Sequence, residues 1–189
     1  MLQRYFLAGV LLVAAPISLQ ADERLWPQAW ESAAAAARVE PALLYATALA
    51  NSGVESNGRL TVWPWTVRID GRAQRFRGPG PAAAAARWAT DRGKDVALGL
   101  FALRVPGEAV GRSLLRESAQ LVAGAEQIAD CLAAGADRAI ALGRCLDPTA
   151  SETDAGDLGR RILRMQRALE GGPHHTGGLC GVPTEGSKG

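Results

Sequence analysis

An amide, a hydroxyl and a carboxyl lie close together in the chain: Asn51, Ser52 and Glu55. A carboxyl in an apolar cleft can act as a general acid, and a serine hydroxyl is a nucleophile when a base activates it. Both histidines lie near the end of the chain, so Ser52 is expected to be a hydrogen-bonding residue at a helix end. Glu55 would share a helical face with Asn51 if the helix continued. Gly53 is expected to end the helix and leave Glu55 in an exposed loop.

The two ends of the chain are expected to lie outside the folded domain. Residues 1–21 have Arg4 near the front, then an apolar run, then small or neutral residues, which is the layout of a secretory signal peptide. The run is short for a membrane span, so we expect export to the periplasm and no stable membrane anchor after cleavage. Residues 171–189 collect Gly, Pro, Ser and Thr around His174, His175 and Cys180. No element there would hold these ligands on one ion, so we predict a solvated tail, no metal site and no cofactor.

Export also permits a disulfide. Cys131 and Cys145 both lie in the middle of the predicted domain, and their pairing is the favoured interpretation. Two buried thiols are the alternative. Cys180 would then be left over.

The elements that must position these residues are mostly helical. Helix-forming residues run from Trp26 to Ala50 with a break at Glu40-Pro41, and an Ala-rich helix runs through Trp88 and Thr90. Further helices are predicted over residues 113–132, 136–145 and 158–169. Between them, residues 60–77 are rich in β-branched and aromatic residues around the turn Asp70-Gly71, which predicts a β-hairpin. Residues 95–105 are expected to be extended or to form a tight helical entry.

The composition of the chain limits which classes of function are expected. The chain has 189 residues, of which 48% are hydrophobic and 21% charged, and its net charge is +2. So much apolar surface favours one globular domain over disorder. The balanced charge argues against nucleic acid as a partner and favours a neutral or mixed ligand.

Three motifs in order resemble one family. Segment 41–53, PALLYATALANSG, resembles the first motif of the soluble lytic transglycosylase domain, a helix of the form LLYAIALxES that ends in the catalytic Glu. Segment 62–66, VWPWT, is similar to the PWPWT hairpin of the branch associated with conjugative transfer and integrating conjugative elements. Segment 94–103, KDVALGLFAL, resembles that branch's VDVGLMQVN motif, and the closing helices follow in the family's order. The resemblance implies that residues 22–170 form a mainly α, lysozyme-like domain that includes a small β-hairpin.

The family cleaves the β-1,4 bond between N-acetylmuramic acid and N-acetylglucosamine in peptidoglycan, using one Glu as acid and then base, and releases a 1,6-anhydro sugar. In this chain Asn51 occupies the position of that Glu, and an amide has no proton to deliver. The Gln of the family's third motif falls on Ala102, and the Tyr of its later CYH segment falls on Leu146. General acid catalysis contributes roughly 10²–10⁴ in rate. The resemblance therefore implies a catalytically impaired protein.

The resemblance also implies which residues would face the saccharide. Trp63 and Trp65 flank Pro64 in the hairpin that borders the family's cleft, and aromatic faces suit sugar rings, although plain packing of the hairpin is the alternative. The other three tryptophans, Trp26, Trp30 and Trp88, are expected in the core. The full substrate-binding set implied is Ser52, Trp63, Trp65, Gly99, Leu100, Ala102 and Leu146.

Three functions remain open. We expect a periplasmic, degenerate transglycosylase-like protein that still contacts peptidoglycan strands or protein partners in a conjugation or secretion apparatus. The second is an active lytic transglycosylase that uses Glu55 or another carboxylate. The third is an interaction module without glycan affinity, in which Phe101 and Leu146 fill the place of the family's saccharide cleft.

Overall fold

The computed structural model describes residues 26–56, 58–104, 112–134 and 137–171. The predicted signal peptide and the tail with its two histidines and Cys180 lie outside these ranges. Within them the chain is mainly helical, with small antiparallel sheets, which confirms the fold class at that level. No helix in the described ranges has the length and apolar character needed to cross a membrane.

Six α-helices are present in the described ranges: α1 (Gln28–Ala37), α2 (Pro41–Ser52), α3 (Pro79–Thr90), α4 (Glu117–Ala133), α5 (Arg138–Leu146) and α6 (Glu152–Gly171). The predicted break after α1 is present, since Arg38 adopts a left-handed conformation and Pro41 takes the first position of α2. Helix α6 begins earlier than the apolar pattern indicated. The Ser151 hydroxyl accepts a hydrogen bond from the Asp154 amide at 3.1 Å, and this N-cap allows a polar first turn.

The strands form two sheets where the sequence predicted a single hairpin. Strands β1 (Gly53–Ser56) and β2 (Arg59–Val62) form a two-stranded antiparallel sheet. Strands β3 (Thr66–Ile69), β4 (Arg72–Arg75), β5 (Val96–Leu98) and β6 (Leu103–Arg104) form a second sheet in the order β4-β3-β5-β6. The predicted turn Asp70-Gly71 joins β3 to β4, and both residues have positive φ. Glu55, expected in a loop, is part of β1.

Two apolar clusters hold these elements together. The larger one centres on α2 and includes Trp30, Leu43, Phe101 and Ile162, all at most 1% exposed. The smaller one packs α3 against Val67 and Leu98 of the second sheet. The carboxyl-terminal end of α2 lies where this helix meets both sheets. The packing of the two clusters together fixes the position of this helix end.

Close helix contacts and a disulfide hold the carboxyl-terminal helices. A Cβ at Gly143 would lie 1.9 Å from the Ala155 carbonyl oxygen, and one at Gly159 would lie 1.7 Å from that of Ala139. Helices α5 and α6 therefore approach backbone to backbone at two glycines. Cys131 of α4 and Cys145 of α5 form a disulfide with their Cα atoms 5.9 Å apart, which is the pairing favoured from the sequence.

One core prediction was wrong. Trp30 is buried and Trp26 packs partly buried against the larger cluster, but Trp88 is 51% exposed. The Ala positions of α3, among them Ala82 and Ala86, fill the interior face instead. The Arg92 guanidinium lies 4.4 Å from the Trp88 ring centroid, so a cation–π contact covers this tryptophan.

Candidate functional site

The site is built around the carboxyl-terminal end of α2. Helix α2 ends at Ser52 because Gly53 leaves the helical conformation, with φ −57° and ψ 139°. A Cβ at Gly53 would lie 2.4 Å from the Leu49 carbonyl oxygen, so a larger residue does not fit at this turn. Asn51 therefore lies in the last turn of the helix, with its residue only 7% exposed.

Every polar atom of the Asn51 side chain is engaged. Its Nδ2 donates hydrogen bonds to the carbonyl oxygens of Gly99 at 2.9 Å and Leu100 at 3.1 Å. Its Oδ1 accepts one from Arg68 Nη2 at 2.9 Å. An amide suits this position because it supplies donors and an acceptor at once, which an ionised carboxylate cannot do. Asn51 thus ties the end of α2 to the segment after β5 and to β3.

Two arginines of the second hairpin converge on this helix end. In the β3–β4 register, Thr66 lies opposite Arg75 and Arg68 lies opposite Ala73, which places Arg68 and Arg75 on one face of the sheet. Arg68 is oriented by a second bond, from Nη1 to the Gly71 carbonyl at 2.9 Å, and Arg75 Nη2 donates to the Gly53 carbonyl at 2.8 Å. Positive charge at a helix C-terminus is stabilising. Two arginine side chains therefore lie beside the end of α2 that carries Asn51.

A buried glutamine that the sequence analysis missed supports the segment after β5. Gln120 of α4 is 0% exposed; its Oε1 accepts from the Leu100 amide at 2.7 Å and its Nε2 donates to the Pro64 carbonyl at 3.0 Å. Gly99 has φ +72°, and a Cβ there would lie 2.0 Å from Gln120 Oε1. In the sequence, Gln120 is one amide beside the apolar positions of a predicted helix. Surface residues of helices show the same pattern, so the sequence did not indicate that Gln120 is buried.

Trp63 and Trp65 lie between the two hairpins, and both are half-buried. Their rings meet edge to face with centroids 5.9 Å apart. The Trp63 indole N–H donates to the Phe76 carbonyl at 2.7 Å, and Trp65 packs against the smaller apolar cluster. The two rings are held firmly, and each keeps part of its surface open to a ligand.

The other residues of the predicted substrate-binding set are buried. The Ser52 hydroxyl is 0% exposed and donates to the Ala48 carbonyl at 2.9 Å, the helix-end role expected for it. Leu100, Ala102 and Leu146 are at most 4% exposed. Leu146 and Phe101 both belong to the larger apolar cluster. These side chains are part of the core on which the site is built. Their exposed surface is too small for an extended contact with a sugar.

Glu55 does not lie beside Asn51 on a helical face. It occupies β1, where it pairs with Leu60 of β2, and it is exposed to solvent. A general acid works best in an apolar, water-poor cleft. The surroundings of Glu55 do not provide one.

Asp147 is the carboxylate that the structure does bring toward Arg68. Hydrogen bonds from the Thr149 side chain and backbone lower the pKa of Asp147, burial opposes that shift, and the charges of Arg104 and Arg68 lower the pKa further. The Thr149 hydroxyl lies 2.7 Å from Asp147 Oδ1. Asp147 is thus held as a carboxylate, the form that accepts hydrogen bonds and has no proton to donate.

Within the described ranges no three His, Cys, Asp or Glu side chains come together as a possible metal site. Comparison with known proteins gave no matching family model, curated protein or solved structure. The site is therefore interpreted from its own residues: a fully hydrogen-bonded amide, two arginines and two half-exposed tryptophans.

Proposed function

We propose that this protein is an exported, lytic-transglycosylase-like component of the cell wall that binds peptidoglycan without cutting it. The order of the three sequence motifs supports the assignment to peptidoglycan, and a mainly α fold with small sheets is consistent with it. Within that assignment, a conjugative transfer or secretion apparatus is the setting in which a wall-binding, non-cutting domain would serve.

One observation carries the non-catalytic part of the proposal. Asn51 occupies the position at which the resembling family has its catalytic acid. All of its side-chain hydrogen-bonding atoms are engaged by Gly99, Leu100 and Arg68. Protonation of the leaving sugar oxygen needs a group that can release a proton near neutral pH. Glu55 is exposed on a strand, and Asp147 is held as a carboxylate. No described side chain at this site meets the requirement.

Binding to the glycan is assigned to the exposed faces of Trp63 and Trp65. Both rings are fixed by their mutual contact and by the hairpins, so little side-chain freedom is lost when a sugar stacks on them. The glycan backbone is largely uncharged, and stacking on an aromatic face does not require charge.

The experiment is co-sedimentation of the full chain with insoluble sacculi. Trp65→Leu is expected to weaken retention by about tenfold, the effect of losing one aromatic stacking contact of about 1 kcal/mol or slightly more. Trp88→Leu is the matched control, because Trp88 is also partly exposed but lies on the solvent-facing side of α3, whose other side packs on the second sheet. A wild-type chain that stays in the supernatant, or equal losses in the two variants, would contradict the proposal.

A further inference from the structure

Strand β4 (Arg72–Arg75) forms one edge of the four-stranded sheet. Among the described strands it pairs with β3 alone, and all four of its residues are exposed. In an antiparallel ladder the residues of a strand direct their backbone N–H and C=O groups alternately to one side and the other. Every second residue of β4 therefore has backbone groups that β3 cannot take up, and water or a further strand must bond to them.

A hydrogen bond next to the ladder shows which residues these are. The Phe76 amide donates to the Trp65 carbonyl at 3.0 Å. This pair continues the register in which Thr66 lies opposite Arg75, so it is a hydrogen-bonded pair and the next one is not. Along β4, Ala73 and Arg75 are therefore the residues whose N–H and C=O groups point away from β3.

The other side of β3 gives the same result. The Asp70 amide donates to the Asp95 carbonyl at 2.9 Å, which continues the register of β3 with β5. Residues of β3 alternate between its two neighbours, so Val67 is directed toward β4, where it lies opposite Gln74. Gln74 thus bonds to β3, and its neighbour Ala73 is directed outward.

The two ends of β4 are arginines, and no acidic residue lies between them. Side chains alternate along a strand, so Arg72 and Arg75 point to opposite faces of the sheet. Neither forms an ion pair within the described ranges. A hydrogen bond from Lys94 is the main cause of the lowered pKa of the nearby Asp70, and the charge of Arg72 contributes less. The edge therefore presents a positive charge on each face.

Open backbone groups and positive charge together limit which partners suit this edge. Two copies of β4 would bring four arginines together with no carboxylate in either strand, and like charges oppose pairing. An extended segment with carboxylates would bond to the outward N–H and C=O groups and pair with the arginines. We propose that β4 is a docking edge to which an extended acidic segment of another protein adds as a further antiparallel strand. The contact requires no glycan, so it is independent of the function proposed above.

The spacing of the arginines fixes the spacing of the acidic residues in such a segment. Residues opposite Arg75 and Arg72 are three positions apart, and in an extended strand they point to opposite faces, as the arginines do. The segment is thus of the form Glu-x-x-Glu. Its first and third residues lie opposite Arg75 and Ala73, so their backbone groups bond to β4. Carboxylates with the spacing Glu-x-Glu would share one face, and only one of them could reach an arginine.

The test uses the full chain and two capped peptides of identical composition, acetyl-Thr-Glu-Val-Thr-Glu-Thr-amide and acetyl-Thr-Glu-Val-Glu-Thr-Thr-amide. Amide chemical shifts in NMR titrations give the affinities. The first peptide should bind about threefold more tightly, because one more exposed charge pair contributes about twofold to fivefold. High salt should remove this preference. Arg72→Gln should also remove it, whereas the matched control Arg87→Gln, at an exposed arginine of α3, should not.

Hydrogen exchange locates the bound peptide. In the free protein the Gln74 amide, which bonds to β3, should exchange slowly, and the Ala73 and Arg75 amides quickly. At about nine-tenths saturation with the first peptide, exchange at Ala73 and Arg75 should slow about tenfold, since only the unbound protein exchanges.

Methylation of peptide nitrogens tests the backbone contacts separately from charge. At the third residue of the Glu-x-x-Glu motif the methyl group replaces the N–H that the Ala73 carbonyl accepts in the proposed pairing, so binding should weaken about tenfold. At the second residue, whose N–H points away from β4, the effect should stay below about twofold.

Four results would overturn the inference: no binding of either peptide, equal affinity for both at low salt, equal effects of the two methylations, or unchanged exchange at Ala73 and Arg75 in the bound state. None of these results bears on retention by sacculi, so the proposed function is tested separately.

Discussion

Arg68 Nη2 donates a hydrogen bond of 2.9 Å to Asn51 Oδ1, and the other side of the same amide donates to two backbone carbonyls. Asn51 thus joins a helix end, a strand and the segment that follows β5. An asparagine without a structural role would have no reason to satisfy all three partners. We infer that residue 51 now has a structural role, which the first two predictions test.

The first prediction concerns the coupling between Asn51 and Arg68. Asn51→Leu keeps a similar volume but leaves two carbonyls and a guanidinium without their partner, so the free energy of unfolding should fall by about 2–4 kcal/mol. In a double-mutant cycle with Arg68→Leu, the coupling energy should be about 1–2 kcal/mol, because the bond involves a charged donor. Urea unfolding measures both values.

Arg72 provides the control for this cycle. It lies on the neighbouring strand and is exposed, and no hydrogen bond joins it to Asn51 among the described residues. Asn51→Leu combined with Arg72→Leu should therefore be additive to within about 0.5 kcal/mol. Equal coupling in the two cycles would show that the Arg68 bond is not what holds Asn51.

The second prediction is that placing a glutamate at position 51 does not create an enzyme. In Asn51→Glu the carboxyl would lie beside the Arg68 guanidinium, which favours the ionised form and so opposes proton donation. It would also face the carbonyl oxygens that now accept from Nδ2. Incubation of this variant with purified peptidoglycan should release no 1,6-anhydro product, as measured by mass spectrometry. Release of product by Asn51→Glu would mean that a complete catalytic cleft has been preserved.

The third prediction separates two effects at Gly99. Gly99 and Gly93 have similar positive φ values, +72° and +67°, but a Cβ would meet a neighbour within 4 Å only at Gly99, where it would clash with the side chain of Gln120. Gly93→Ala should cost about 1 kcal/mol from backbone strain alone. Gly99→Ala should cost about 3–5 kcal/mol, because Gln120 would have to give up its bonds to Leu100 and Pro64. Similar urea midpoints for the two variants would refute the role assigned to Gln120.

The fourth prediction concerns pH. Burial raises the pKa of Tyr45, and the negative charge of Glu117 raises it further. The folded state therefore holds the phenol proton more tightly than the unfolded state, whose tyrosine titrates near pH ~10. The associated stability is fully present below that pH and is lost as pH rises toward the folded-state pKa. Tyr45→Phe should remove this part of the alkaline destabilisation.

The check uses the ultraviolet absorbance of tyrosinate in a Tyr5→Phe background, where Tyr45 is the only tyrosine left in the chain. Glu117→Gln should lower the pKa of Tyr45 only in part, because burial is the larger cause. A full return to the ordinary value in that variant would show that the charge, and not burial, dominates.

Sequence patterns predicted the features that depend on local chemistry. The end of α2 at Gly53, the turn at Asp70-Gly71 and the favoured pairing of Cys131 with Cys145 are all present in the structure. The helix end and the turn depend on neighbouring residues. The disulfide depends on a choice among the three cysteines of the chain. The first hairpin was missed although Asn57-Gly58 is a strong two-residue turn signal, because the segment GVES before it lacks the β-branched and aromatic run by which a strand is identified.

The partners of Asn51 could not be predicted in the same way. Arg68 is 17 residues away and Leu100 is 49 residues away, so their contacts follow from how the two sheets meet α2. The same holds for Gln120, which reaches Pro64 across 56 residues. Nothing in the local composition distinguishes these polar residues from surface ones, and only the packed structure shows that they form one network.

The central claim is that the protein binds peptidoglycan and does not cut it. The most direct measurement incubates the wild-type chain with purified sacculi, records how much protein they retain, and quantifies 1,6-anhydro products by mass spectrometry. Our account predicts retention of the protein with no product above a buffer control. Release of anhydro products by the wild type, abolished by Glu55→Gln, would contradict it.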